Sequence, residues 1–198
     1  MPPRRVPADL PPKALAGAWT SLSASQNVVS LEKDHQKEYS HIGAGLDEKS
    51  LFTKFWTDES KTTLRVLARI PEGSDYRPDP KSRTAKEIAW QIVCEEKMII
   101  EALESGKAEW APAPMPATMK EVLEVYEQKS GAMPQRWEAL SPARWEGTLD
   151  FFGNQRPASP MAWGFLFDIV HHRGQITTYL RPMGSTVPQI YGPSADEP

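Results

Sequence analysis

A carboxylate and an imidazole lie four residues apart in the C-terminal part of the chain, among apolar residues at helical spacing. The inward positions of this predicted helix are Met161, Phe165, Asp168, Ile169, His172, Ile176 and Tyr179. Residues four apart project from one face of a helix, one turn apart. Asp168 and His172 can therefore hold one divalent metal ion, as side chains of helical bundles do. A buried Asp–His pair joined by a hydrogen bond is the alternative, and the spacing alone favours it.

Gln91 and Glu95 repeat this pattern on an earlier predicted helix. Both lie on an otherwise apolar face, where an unpartnered polar group costs free energy. Gln91 and Glu95 therefore form either a hydrogen-bonded pair in the core or part of a ligand set. Glu59, on a third predicted helix, is a weaker candidate, because a small rotation of that helix would place it in solvent.

His171 points about 100° away from His172 around the helix. It shares that face with Gly164, Phe167 and Gly174. Small residues allow another helix to come close, so this face predicts a homodimer contact. Cys94 lies at the edge of an apolar face with no obvious base beside it, which is typical of a small buried hydrophobic residue.

Composition excludes several classes of function. The 198 residues include 23 Lys and Arg against 26 Asp and Glu, and the formal charge of −3 argues against nucleic-acid binding. One cysteine excludes an internal disulfide framework and a multi-cysteine metal site. There is no apolar run of ~20 residues, no readable secretory signal, and no phosphate-loop, nucleophile-elbow or His-Glu-x-x-His motif. We expect a cytoplasmic protein that is not bound to membranes.

The candidate residues require helices to position them. The first predicted helix runs from Leu51 to about Ile70, with Asp47 upstream as a plausible cap. The second begins at about Thr84, with Glu87 at capping-box spacing, and ends at residues 105–106.

Two further helices complete the prediction. The third begins after Thr118, with Glu121 three residues later, and we expect a break or kink at Gly131 and Pro134. The fourth begins at residues 159–160, a serine cap followed by proline, and ends near Leu180 or Arg181.

The predicted fold class is all-α, a four-helix bundle with long connections, since no alternating apolar run is long enough to indicate a sheet. We assign residues 47–193 to the bundle and 194–198 to a C-terminal tail. Residues 1–46 are assigned to an N-terminal extension, with a proline-rich arm over 1–12 and a helix around Val28 to Tyr39.

Three short segments carry a resemblance to a known family. They are His171-His172-Arg173-Gly174-Gln175, Ala89-Trp90-Gln91-Ile92 and Pro188-Gln189-Ile190-Tyr191-Gly192-Pro193-Ser194. Over about residues 47–193 the chain resembles the DinB-like (DinB/YfiT) superfamily of metal-binding four-helix bundles.

The resemblance implies a metal site. In the family three histidines hold the metal, and their positions correspond here to Gln91, Asp168 and His172, of which only the last is histidine. Two oxygens and one nitrogen form a harder ligand set, which weakens zinc or nickel and favours iron, manganese or magnesium. The identity of the divalent metal stays open among Zn, Ni, Fe and Mn. The alternative is that the site has been lost. Gln91 and Asp168 replace histidines but can themselves bind a metal, which favours an altered site over a lost one.

The resemblance also implies a function. Several relatives attach a low-molecular-weight thiol to an electrophilic small molecule, and others are isomerases or hydrolases. Glu95 would then be a catalytic base or a supporting partner of the metal ligands. The alternative is a non-catalytic, metal-free bundle that binds a small molecule or a partner protein in a stress response.

Overall fold

The computed structural model describes residues 46–198, which are mostly helical. In chain order the elements are α1 (Glu48–Leu67), α2 (Ala85–Ser105), β1 (Lys107–Ala108), α3 (Met119–Ala139), α4 (Pro142–Trp145), β2 (Thr148–Phe151), β3 (Asn154–Pro157) and α5 (Ala158–Leu180). The predicted N-terminal arm and the helix expected around Val28 to Tyr39 lie outside the described residues. Within residues 46–198, no helix combines the length and hydrophobicity needed to cross a lipid bilayer.

The first three long helices begin where their caps predict. The Asp47 side chain accepts a hydrogen bond from the first turn of α1. At α2, Thr84 and Glu87 form a complete capping box, in which each side chain accepts from the other's backbone N–H. Thr118 and Glu121 form the same box at α3. Local sequence determines these three starts, and the predictions are confirmed.

The break expected in α3 is absent: the helix is continuous from Met119 to Ala139, with Pro134 inside it. A proline removes one backbone N–H and crowds the preceding turn. On either side of it, however, Met133 and Trp137 are buried against the other helices. Their packing holds the helix together across the lost hydrogen bond.

The start of α5 also differs from its prediction. The helix begins at Ala158, and Pro157 occupies the N-cap position without a side-chain hydrogen bond. Ser159, the expected cap, is already inside the helix, with its hydroxyl 3.5 Å from Oε2 of Glu48. The reason is that β3 runs directly into α5, so the strand sets the boundary.

The all-α prediction missed a small sheet. Strands β1, β2 and β3 lie side by side in that order, with β1 parallel to β2 and β2 antiparallel to β3. Phe152 and Gly153, both at positive φ, make the turn of the β2–β3 hairpin. The strands contain two to four residues, which is too short for an alternating pattern to be recognised in the sequence.

Four long helices enclose the core. Helices α1 and α2 each pack against both α3 and α5. Aromatic rings fill the space around α1, where Phe52 and Trp56 both lie 4.9 Å from Trp137 between ring centroids. The site described next lies between α2 and α5, where the two helices with polar residues on apolar faces meet.

Candidate metal centre

Three potential metal ligands meet between α2 and α5. Glu95 comes from α2, and Asp168 and His172 come from successive turns of α5. One ligand atom from each lies within 4.8 Å of the other two. Nε2 of His172 is 3.7 Å from Oε1 of Glu95 and 3.7 Å from Oδ2 of Asp168. We call these three residues the acidic–histidine cluster.

The cluster is buried at Glu95 and open at Asp168. The Glu95 side chain is 6% exposed, whereas that of Asp168 is 49% exposed. Burial raises the pKa of Glu95; a hydrogen bond from Gln91 opposes this increase and the charge of Asp168 adds to it. Among residues 46–198, no lysine or arginine forms an ion pair with either carboxylate of the cluster. The cluster therefore holds two acidic groups with no cationic partner in the described chain.

Gln91 lies against the cluster. Its Nε2 donates to Oε1 of Glu95 at 2.5 Å and lies 2.7 Å from Nε2 of His172. The predicted Gln91–Glu95 pair therefore exists. Two buried oxygens, Oε1 of Gln91 and Oε2 of Glu95, have no hydrogen-bond partner within the described part of the chain.

The predicted alternative, a direct Asp168–His172 hydrogen bond, is absent. The 3.7 Å between Oδ2 and Nε2 is too long for a hydrogen bond. His172 instead bonds through its other nitrogen, with Nδ1 2.8 Å from Oε1 of Gln175. An amide oxygen only accepts, so Nδ1 carries the proton and the lone pair of Nε2 faces the cluster. Gln175 therefore orients the imidazole, a role that the sequence did not predict although Gln175 ends one of the segments that carry the family resemblance.

The cluster fits a divalent ion. Carboxylate oxygens and imidazole nitrogens bind such ions at about 2.1 Å, so two ligands of one ion are at most about 4.2 Å apart. The two 3.7 Å separations satisfy this limit, and the third pair, within 4.8 Å, needs only a small side-chain rotation. The unpartnered oxygen of Glu95 and the two uncompensated acidic groups are what a bound cation would stabilise. Two oxygens and one nitrogen form a hard donor set.

Glu59 lies outside this cluster. It pairs with the buried Arg173 of α5, with Oε2 2.5 Å from Nη1 of the guanidinium. The Tyr191 hydroxyl accepts from Arg173 at 2.5 Å and donates to Glu59 at 3.0 Å. Glu59 therefore joins α1 to α5 and to the C-terminal segment. Sequence reasoning missed the roles of Arg173 and Tyr191, although both lie in segments that carried the family resemblance.

Two cavities flank the cluster. One, of about 510 Å³, borders Gln91 and Cys94. The other, of about 390 Å³, borders Asp168, Phe167 and His171. Burial raises the pKa of the Cys94 thiol, which fits the prediction of an inert buried cysteine.

Comparison with known proteins agrees with this architecture. A curated relative, described as the uncharacterized protein YrdA of Bacillus subtilis (strain 168), is 30% identical over 152 residues, which are 74% of this chain and 89% of the relative. A solved DinB-like protein from Bacillus cereus ATCC 10987 superimposes with a TM-score of 0.60 at 26% identity, covering 71% of this chain and 95% of that chain. The DinB-like protein YjoA from Bacillus subtilis superimposes with a TM-score of 0.61 at 18% identity, covering 71% and 97%, and so shows likeness of fold alone.

The family comparison covers all of the described residues. The DinB family model matches residues 44–198, which include every helix, every strand and the complete acidic–histidine cluster. The resemblance seen in the sequence is thereby confirmed. The chain belongs to the DinB family.

Proposed function

We propose that this protein is a metal-dependent enzyme on a four-helix bundle, with a divalent ion held by Glu95, Asp168 and His172. The observation that carries the proposal is the convergence of these three side chains within 4.8 Å, around a buried carboxylate oxygen that lacks a partner in the described chain. The family resemblance instead places Gln91 in the ligand set and makes Glu95 a catalytic base or a supporting partner of the ligands. The distances support Glu95 as a ligand and Gln91 as the group that orients it.

The surrounding residues have separable roles in this proposal. Gln175 holds His172 with Nε2 toward the cluster, and Gln91 holds Oε1 of Glu95. A divalent ion bound here would supply a positive charge that stabilises a thiolate or a hydroxide at neutral pH.

The reaction we propose is transfer of a low-molecular-weight thiol to an electrophilic small molecule. The family resemblance suggests this chemistry. The cavity of about 510 Å³ beside Gln91 supports it, because it leaves room for a small-molecule reactant next to the cluster.

A metal-free binding protein is the second candidate, and one contact favours it. The Gln91 amide nitrogen lies within hydrogen-bond distance of both Glu95 and His172. It therefore supplies donors to two of the three cluster residues without any cation. In that case the cavities would bind a small molecule without chemistry.

Metal content distinguishes the two candidates. Full-length protein purified without an affinity tag is analysed for metals by mass spectrometry, in parallel with the His172→Ala variant. The enzyme proposal predicts close to one divalent ion per wild-type chain and none in the variant. The metal-containing protein should also speed the reaction of a model thiol, glutathione, with 1-chloro-2,4-dinitrobenzene, and a chelator should remove that activity. Wild-type protein that contains no metal and does not speed the reaction would favour the second candidate, and activity that survives chelation would contradict a metal-dependent enzyme.

We also propose a cytoplasmic homodimer. A reducing compartment suits both a single unpaired cysteine and thiol chemistry. The face of α5 that carries Gly164, Phe167 and His171 supports the dimer, because Phe167 exposes 64% of its surface there.

A further inference from the structure

The larger cavity beside the cluster has the size of a small-molecule site. Its volume of about 510 Å³ is within the usual range for such sites. The residues that line it and matter here are Arg83, Trp90, Gln91, Cys94, Trp110 and Met115. Gln91 forms the inner end, in contact with Glu95 and His172. The cavity therefore leads to the proposed metal site.

One wall of the cavity is held in place by two hydrogen bonds. The indole of Trp90 donates to the carbonyl of Ala113 at 3.0 Å, and the Lys86 ammonium donates to the carbonyl of Ala117 at 2.7 Å. Both bonds tie residues 111–117 to α2. The wall is therefore preformed, which lowers the entropic cost of ligand binding.

The walls are aromatic and apolar. Trp90 is 9% exposed, and Trp110 and Met115, which face the same cavity, are 47% and 40% exposed. Two indoles and a thioether offer flat, polarisable surfaces against which an aromatic ring packs well.

The mouth of the cavity carries a positive charge. Within residues 46–198, Arg83 is exposed and has no ion pair and no hydrogen bond, so its guanidinium donors are available to a ligand. Glu87 also lines the cavity, but its Oε2 already accepts from the backbone N–H and the hydroxyl of Thr84. The Thr84 backbone lowers the pKa of Glu87 most, and the charges of Arg77 and Arg83 lower it further. Because Thr84 already occupies Glu87, the Arg83 guanidinium is the charged group of the cavity lining that can meet an anionic ligand.

From these contacts we infer that the cavity binds an aromatic carboxylate, with the ring between Trp90 and Trp110, the anionic group at Arg83 and the opposite end at Gln91. Arg83 precedes the N-cap Thr84, from which Gln91 lies roughly 10 Å along the axis of α2, and Arg83 and Gln91 both line the cavity. A fused ring pair with a short acid arm fits this length. The inference rests on the proposed function and deepens it, because it names the chemical class of one substrate.

A matched pair of probes tests the inference on the full-length protein. Calorimetry measures the affinities of 1-naphthylacetate and of its uncharged isostere 1-naphthylacetamide. The acid should bind about fivefold more tightly, the upper range for a solvent-accessible ion pair. Arg83→Gln should abolish this preference and leave the affinity of the amide unchanged. Arg77→Gln, which removes a nearby arginine outside the cavity lining, should retain the preference for the acid over the amide.

A second variant tests the aromatic wall. Trp110→Ala should weaken both probes by a similar factor, because it removes ring contacts and leaves Arg83 in place. Equal affinity of wild-type protein for acid and amide, or a preference that persists in Arg83→Gln, would overturn the inference.

The same titrations can distinguish an error in the ligand inference from an error in the proposed function. Repeating the titrations with a chelator removes any contribution of a metal to carboxylate binding, and the Arg83-dependent preference should survive. A surviving preference in a protein that binds no metal supports the inference and contradicts only the enzyme proposal. A protein that binds metal and lacks the preference contradicts only the inference.

Discussion

At the scale of single residues, Glu96 adjoins the cluster in sequence and faces away from it. Its side chain is buried against Tyr126, whose hydroxyl donates to Oε1 at 3.0 Å. Burial raises the pKa of Glu96 to about 8, against the opposing hydrogen bond from Tyr126 and the charge of Lys129. The carboxyl is therefore protonated in the folded protein at neutral pH.

This raised pKa predicts how stability changes with pH. An unfolded glutamate has a pKa near 4.5, so between pH 4.5 and 8 the folded state holds a proton that the unfolded state has released. The contribution of Glu96 to the free energy of unfolding therefore falls with rising pH, by about 1.4 kcal/mol per pH unit.

Glu96→Gln should remove that contribution. The variant should match wild type near pH 5 and exceed it increasingly up to pH 8, because glutamine does not titrate. Urea unfolding of both proteins at several pH values, with a chelator present, measures the difference. A constant difference between them across this range would show that Glu96 is ionised in the folded protein.

The sequence predicted the cluster residues but not their contacts. Spacing on apolar faces singled out Gln91, Glu95, Asp168 and His172, because a buried polar side chain must have a partner. Which atoms meet depends on how α2 and α5 rotate against each other, and a single helical period does not specify that. For this reason the sequence could not decide between an Asp168–His172 hydrogen bond and the 3.7 Å separation that the structure has.

At the scale of elements, one buried ion pair joins α1, α5 and the C-terminal segment. Arg173 of α5 pairs with Glu59 of α1, and Tyr191 bonds to both. The Arg173 side chain is 2% exposed and that of Glu59 is 15% exposed. The contact is largely shielded from water. If one partner were removed, water would not replace it as a partner for the remaining charge.

Glu59→Ala should lower the free energy of unfolding by about 3–5 kcal/mol, because it leaves the Arg173 charge buried without a counterion. Tyr191→Phe removes only the hydroxyl and should cost about 1 kcal/mol. Denaturant unfolding of both variants checks the ranking. A loss below about 1 kcal/mol for Glu59→Ala would mean that water reaches Arg173.

The elements were predictable where local sequence dominates. The caps at Asp47, Thr84 and Thr118 depend on hydrogen bonds between near neighbours in the chain, and all three form. Pro134 suggested a break in α3, but tertiary packing outweighs one missing hydrogen bond. The strands depend on pairing between distant segments, such as Lys107 with Asp150, and short segments carry no readable pattern for it.

At the scale of the whole molecule, the exposed face of α5 predicts self-association. Phe167 is 64% exposed on this face, close to the ring of Trp163. Wild-type protein should sediment at twice the 22.2 kDa mass of the chain at micromolar concentration. Phe167→Glu should sediment as the single chain with its stability retained, because a charged group there opposes close helix contact. Single-chain mass for wild type would contradict the dimer.

Calorimetric metal titration of wild type, Asp168→Ala and Gln91→His shows whether Glu95, Asp168 and His172 hold a divalent ion. Asp58→Ala, which removes a surface carboxylate of α1 away from the cluster, is the matched control. We expect wild type and Asp58→Ala to bind one divalent ion, and Asp168→Ala to bind none, because two remaining ligands do not retain it. Gln91→His should raise the affinity for zinc or nickel, since imidazole is the better donor for those ions. Negligible and indistinguishable binding in wild type, Asp168→Ala and Gln91→His would show that the acidic–histidine cluster is not a metal site.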